Sequence, residues 1–269
     1  GQLGLKVALV DAHKIGGTCL HVGCIHTKAM LESADLYAPV KKAGDFGITT
    51  GEASIDFAAV AKRRGQIVER LHKGLQGLTK KNGVEFVHGR GRLKGGKKVE
   101  IALIGEDGAA AGSRTLDATD VILATGSRVK SLPGLVPDGK RIVTSDDILT
   151  SDKLPASLIV VGGGAVGVEF ASFYADLGTA VTVLEYLPAL VPLEDREVSA
   201  ELERSFRRRG IAVMTNARFD TAAVKAGQDG VSVMVGPLGE APKELRAEQM
   251  LVATGRAANI EEVGLETTR

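Results

Sequence analysis

The sequence has almost no one-sided charge: its Lys and Arg (34) and its Asp and Glu (33) leave a net of +1. Recognition of nucleic acid or of an anionic membrane surface ordinarily shows as a basic excess, so neither is expected as a partner. No apolar run is long enough to span a bilayer, and nothing at the N-terminus reads as a signal peptide. Cysteine is scarce, with only Cys19 and Cys24 in 269 residues. That is too few for the disulfide framework of a small secreted domain, so a soluble protein of a reducing, cytoplasmic compartment is the expectation. Glycine, by contrast, is abundant, and the length fits two domains more comfortably than one core.

The two cysteines stand together in GGTCLHVGCIHTK, residues 16–28. Their spacing is too wide for a CxxC pair, but a helical turn followed by a bend can bring such thiols to bonding distance. The small ring so closed is one that another thiol can open, which suits redox exchange rather than stapling. Beyond Cys24 the apolar Ile25, Ala29, Met30 and Leu31 predict a helix with Glu32 and Asp35 outward. Cys24 then sits near a helix N-terminus, where unsatisfied N–H groups and the dipole favour a thiolate. Two plainer readings compete: small buried cysteines, or zinc held by Cys19, His21, Cys24 and His26. The second lacks a further ligand pair, and no metal is expected.

A second motif is SLIVVGGGAVGVEF, residues 157–170, with Gly162, Gly164 and Gly167 in GxGxxG spacing between an apolar strand and a helix. The first glycine permits the tight turn, the second lets a pyrophosphate approach the backbone, and the third lets helix and strand pack closely. A strand over residues 180–184 then ends at Glu185, placed to accept the hydroxyls of a ribose. Two ATG turns bracket this unit. DVILATGS (residues 120–127) and MLVATGR (residues 250–256) each read as a buried strand ending in small residues beside a cofactor.

The remaining segments fit the same α/β plan. Residues 5–10 predict a buried parallel strand closed by Asp11, the position of a ribose-binding acid. The glycine loop that should come before it is expected to lie in a longer protein, since the chain begins at Gly1. Residues 54–82 predict a long amphipathic helix capped by Gly83, with Lys62, Arg63 and Arg64 on a solvated face. Strands are expected over residues 84–88 and 98–104, with Gly89, Arg90 and Gly91 between them as a bulge or turn. Residues 129–147 read as a domain-crossing loop, residues 195–209 as a helix, and residues 211–235 as closing strands.

GGTCLHVGCIHTK resembles the redox-disulfide motif of the flavin-dependent pyridine nucleotide-disulfide oxidoreductases. The flanking sequence, including GGGAVGVEFASFYADLGTAVTVLE, is most similar to the dihydrolipoamide dehydrogenase branch. His21 and His26 depart from the asparagine and proline usual there; losing the proline removes a φ constraint in the first turn. The resemblance implies an α/β fold of two Rossmann-like domains that bind FAD and NAD(P). Residues 1–148 would form an incomplete FAD domain with the redox disulfide, residues 149–258 the NAD domain, and residues 259–269 the return to the first.

It implies FAD and NAD as cofactors, Cys19 as the interchange thiol, Cys24 as the thiol against the flavin, and Lys28 paired with Glu169 beside it. Asp11, Gly17, Thr18, Lys28, Gly91, Thr125, Gly126 and Ser127 would line the flavin nucleotide; Gly162, Gly164, Gly167, Glu185 and Gly255 would line NAD. The implied reaction oxidises a protein-bound dihydrolipoyl dithiol. The implied partners are the lipoyl domain of a 2-oxo acid dehydrogenase or glycine cleavage complex and a second copy in a homodimer, which supplies the catalytic base from an interface domain. Glutathione or mercuric reductase chemistry, or a nucleotide-binding subunit without turnover, are the alternatives. Because Glu185 is followed by no arginine before Arg196, NAD is expected over NADP.

Overall fold

The structure, a computed structural model, describes residues 1–130, 132–237 and 241–268. In chain order its first elements are β1 (Ala8–Asp11), α1 (Gly17–Val22), α2 (Cys24–Lys41), α3 (Phe57–Lys81), β2 (Glu85–Leu93), β3 (Lys98–Ile104), β4 (Ala110–Asp117) and β5 (Ser127–Val129). Then come β6 (Ile142–Thr144), α4 (Ser145–Ile148), β7 (Ser157–Val161), α5 (Ala165–Asp176), β8 (Ala180–Leu184), α6 (Arg196–Arg208) and β9 (Ala212–Met214). The last are β10 (Ala217–Arg218), β11 (Lys225–Gly227), β12 (Gly230–Pro237), β13 (Lys243–Ala247), β14 (Gln249–Val252) and β15 (Arg256–Ala258).

Two compact units interleave along the chain. The first holds residues 1–21, 68–128 and 258–269, the second residues 22–67 and 129–257. This grouping divides the chain elsewhere than at residue 148. α2 packs on α5, and β6 joins the edge of the sheet containing β14 and β7, so residues flanking the expected NAD segment belong to its unit.

In the first unit four strands pair in the order β1-β2-β3-β4. β1 runs parallel to β2, with Asp11 opposite His88, and β2, β3 and β4 are antiparallel. Val87, Leu93 and Ile101 are buried here. The expected strand over residues 5–10 starts later, at Ala8, and Leu5 and Val7 are exposed. Residues 120–126 are not a strand at all, and Ile122 is 90% exposed. A buried strand needs hydrogen-bonding neighbours, and among the described residues no strand pairs with these. Gly89 and Gly91 are not a bulge or turn but lie within β2, opposite Leu103 and Ile101 of β3. A side chain at Gly89 would meet the Ala102 carbonyl, so glycine lets the two backbones close up.

In the second unit five parallel strands run in the order β6-β14-β7-β8-β9. Their side chains alternate between two cores. Leu158, Val160, Val183 and Leu251 face one with Met30, Phe57, Phe170, Phe173 and Tyr174; Ile159, Val161, Leu184, Met250 and Val252 face another with Val231, Val233 and Val235. Both sheet faces are thereby covered, one by helices and one by the antiparallel β10-β12-β11 sheet with β13. That is why these strands read as unbroken apolar runs. α5 packs on the sheet and on α2, which explains its apolar girth. The expected loop over residues 129–147 contains β6 and the start of α4, whose Thr144 and Asp147 form a capping box; Ser131 lies outside the described residues. Among the described residues no helix is long and apolar enough to cross a membrane.

Candidate functional site

The turn from β7 into α5 is built for close approach. Gly162 has φ +111°, and a Cβ there would collide with the Ala253 carbonyl; one on Gly167 would collide with the Gly162 carbonyl. At Gly164 an added Cβ meets no protein atom within 4 Å. The two outer glycines thus serve the protein's own packing, and the middle one opens onto free space. Gly164 is the N-cap of α5 and offers no side-chain cap, which leaves the first N–H groups of the helix for an anionic ligand.

Glu185 is buried, with 7% exposure. Its Oε2 accepts the Gly163 N–H at 2.6 Å and its Oε1 accepts the Leu187 N–H at 2.7 Å. The acid therefore braces the glycine turn and the chain after β8, and each oxygen keeps a second lone pair for a ligand hydroxyl. Both features border a cleft of about 1400 Å³, which also takes in Ala253, Thr254 and Gly255 of the second ATG turn. Gly255 has φ +111°, and its carbonyl accepts the Lys130 N–H at 2.9 Å. The cleft includes two residues that spacing did not indicate, Tyr186 and Arg218, with the guanidinium stacked on the ring. Arg218 arrives from β10, outside the stretch that directly follows Glu185.

In the first unit, Asp11 turns its Oδ1 to the N–H of His13 at 2.8 Å. Thr125 and Gly126 are pinned by Asn259, whose Nδ2 donates to the Thr125 carbonyl at 3.2 Å and whose N–H donates to the Gly126 carbonyl at 3.0 Å. A Cβ on Gly126 would lie 3.5 Å from Thr18 Oγ1, so the start of α1, with Gly17 and Thr18, meets the first ATG turn. Ser127 opens β5, next to Arg128, which forms a forked pair with Glu261. Asn259 and Glu261 were not legible as partners. Gly91 has Val10 and Val99 side chains 3.4 Å from where its Cβ would be, so the close approach seen there is that of protein. His21 Nε2 is 2.9 Å from the Ile15 carbonyl and its ring meets His72 edge-on at 5.0 Å.

Cys19 lies in α1 of the first unit, and Cys24 is the first residue of α2 in the second, after a break at Gly23. Both are exposed. His26 lies in the first turn of α2. One turn after Cys24, Lys28 Nζ donates to Glu169 Oε1 of α5 at 2.5 Å. The side chains are 59% and 31% exposed, so this pair is half-solvated. Among the described residues no group of three or more His, Cys, Asp or Glu could hold a metal ion.

Behind this pair, the basic face of α3 departs from expectation. Lys62 and Arg63 are exposed, Arg63 with its Nη1 donating to the Ala29 carbonyl at 2.9 Å, but Arg64 is buried, with Nη1 3.5 Å from Met30 Sδ. Burial lowers the pKa of the Arg64 guanidinium from its ordinary value, and the Tyr174 phenol partly offsets this. Burial also raises the phenol of Tyr174, against the charge of Arg64. Periodicity placed Arg64 on a helix but could not show that α2 and α5 close over it.

Comparison with known proteins agrees with this geometry. The family described as pyridine nucleotide-disulphide oxidoreductase matches residues 1–269. A dihydrolipoyl dehydrogenase of Bacillus subtilis is 42% identical over 99% of this chain and 57% of its own length. One from Chlorobaculum tepidum is also 42% identical, over 98% of this chain and 55% of its own. The chain therefore spans about half the length of the curated relatives it matches. A crystal structure of LpdA from Mycobacterium tuberculosis superposes with a TM-score of 0.84 at 29% identity, over 98% of this chain and 55% of that one. The glycine turn and cysteine motif thus sit in a match that runs from the first residue to the last, and the chain belongs to the pyridine nucleotide-disulphide oxidoreductase family.

Proposed function

We propose that this chain supplies the dithiol and dinucleotide sites of an NAD-dependent flavoprotein that oxidises protein-bound dihydrolipoyl groups. The observation that carries the reading is the cleft beside the β7–α5 turn, where an open glycine, an uncapped helix N-terminus and a braced strand-end acid converge. That donor set suits a dinucleotide: N–H groups for the pyrophosphate, carboxylate lone pairs for the ribose. Glu185 would confront a 2′-phosphate as like charge, which favours NAD over NADP. Residues 1–148 and 259–269 would serve FAD, with Asp11, Gly17, Thr18, Gly91, Thr125, Gly126 and Ser127 toward it, and residues 149–258 would serve NAD. The first-unit groups fit a nucleotide in part, since Thr18 and the Thr125–Gly126 turn share one small region.

Bound FAD would supply the two-electron relay between dithiol and nicotinamide. The chain's own groups do the rest. Oxidised as a disulfide, the cysteines accept attack by a substrate thiolate at Cys19, and Cys24 leaves as a thiolate; the second substrate thiol then displaces Cys19. The balance is dithiol plus NAD⁺ giving disulfide, NADH and a proton. Lys28, held by Glu169, would place a positive charge one helical turn from Cys24. The partners in this reading are a lipoyl domain of a 2-oxo acid dehydrogenase or glycine cleavage complex and a second copy of the protein, in the cytoplasm.

Trapping tests the reading without requiring turnover. Cys24→Ser protein, incubated with an oxidised lipoyl domain, is expected to form a mixed disulfide through Cys19, seen as an intact-mass adduct. Cys19→Ser protein should form far less. Adducts only with Cys19→Ser would reverse the roles, and adducts with neither would remove the dithiol reading.

A further inference from the structure

The cleft carries a cation that sequence order conceals. Arg218 of β10 reaches back to the residue after Glu185: its Cζ lies 3.6 Å from the centre of the Tyr186 ring. Its Nη1 donates to the Tyr186 carbonyl at 2.6 Å and to the Ala217 carbonyl at 3.1 Å. A separation of 3.6 Å is the contact thickness of two stacked planes, so the guanidinium lies flat against the ring. Both residues line the cleft, directly beyond the acid that ends β8.

Two roles suit a guanidinium there: receptor for a phosphate, or flat support for a base. A phosphate receptor presents its N–H fork to the ligand. Here Nη1 is engaged by two carbonyls, and the group is held as a plate whose one face is covered by Tyr186. With the pyrophosphate at the start of α5 and the ribose at Glu185, the base continues to the residue that follows. We infer that the Tyr186–Arg218 stack is the platform for the adenine of the bound dinucleotide and that Arg218 determines affinity for the adenosine half. This rests on the dinucleotide reading of the cleft.

Titration calorimetry on the 269-residue protein, with ADP-ribose and 2′-phospho-ADP-ribose as probes, tests it. Arg218→Ala is expected to weaken both ligands by the same factor, on the order of tenfold. Arg218→Lys should not restore binding, because an ammonium has no plane to stack. Tyr186→Leu, at a side chain that is 65% exposed and therefore safe for folding, should produce a similar loss. If the wild type binds ADP-ribose and Arg218→Ala binds it equally well, the platform is wrong while the cleft assignment stands. A selective loss of the 2′-phosphorylated ligand that Arg218→Lys repairs would make Arg218 a phosphate receptor instead. A wild type that binds neither probe would overturn the dinucleotide reading and the platform together.

Discussion

Replacing Glu185 by alanine removes a carboxylate that two backbone N–H groups share, those of Gly163 at 2.6 Å and Leu187 at 2.7 Å. A hydrogen bond to a charged group contributes roughly 1.5–3 kcal/mol, so two would suggest about 3–6 kcal/mol if both donors stayed buried. The turn borders an open cleft, so water can reach part of what is exposed, and about 2–4 kcal/mol is the expected loss. That is a large share of a typical domain's stability of about 5–15 kcal/mol. Glu185→Gln keeps one acceptor oxygen and sets an NH₂ against the other donor, so it should lose about half as much. Urea unfolding followed by far-UV circular dichroism measures the change, and amide exchange at Gly163 and Leu187 localises it. If Glu185→Ala unfolds within about 0.5 kcal/mol of wild type and both amides stay equally protected, the acid does not brace the turn.

Other expectations follow from burial and pairing. Arg64 is 6% exposed and forms no carboxylate ion pair among the described residues, so Arg64→Met should be neutral or stabilising, whereas Arg64→Ala should destabilise by leaving a void; paired melts decide this. Burial raises Tyr174 above the ordinary phenol value of about 10, so the unfolded chain ionises first. That contribution is complete below pH 10 and is lost as pH rises above it; Tyr174→Phe should flatten the alkaline decline in unfolding free energy, and an unchanged slope would refute it. Lys28→Ala removes a half-solvated pair and should change stability by less than about 1 kcal/mol, so a larger drop in a thermal melt would show that the pair is structural.

What could be read from the sequence tracks how local the physics is. The β7 strand, the glycine turn, α5 and the acid ending β8 form one continuous stretch. An unbroken apolar strand, a positive φ at Gly162 and a strand-end carboxylate each leave a trace in the sequence. The break between α1 and α2 at Gly23 fits the turn and bend expected between the cysteines. By contrast, residues 120–126 have the composition of a core strand and are exposed, because a strand is defined by neighbours rather than by its own residues. Arg64 shows the converse: a basic triplet on an amphipathic helix looked solvated until α2 and α5 closed over one of its members.

Glu185 illustrates how a residue singled out for a ligand also serves the protein itself. Its position at the end of a parallel strand identifies an acid suited to a ribose, but both oxygens are also needed by the protein. Without them the Gly163 and Leu187 N–H groups would lie beside the cleft with no acceptor. The same side chain shapes the turn and, in the proposed reading, faces the ribose, so substitutions there are expected to change stability and nucleotide binding together. Arg218 separates the two effects. It touches the Tyr186 carbonyl and ring but neither the glycine turn nor Glu185 among the contacts described, so its removal leaves the brace intact and alters only the far end of the cleft. A loss of nucleotide affinity in Arg218→Ala without a loss of protection at Gly163 is the pattern that this division of labour requires.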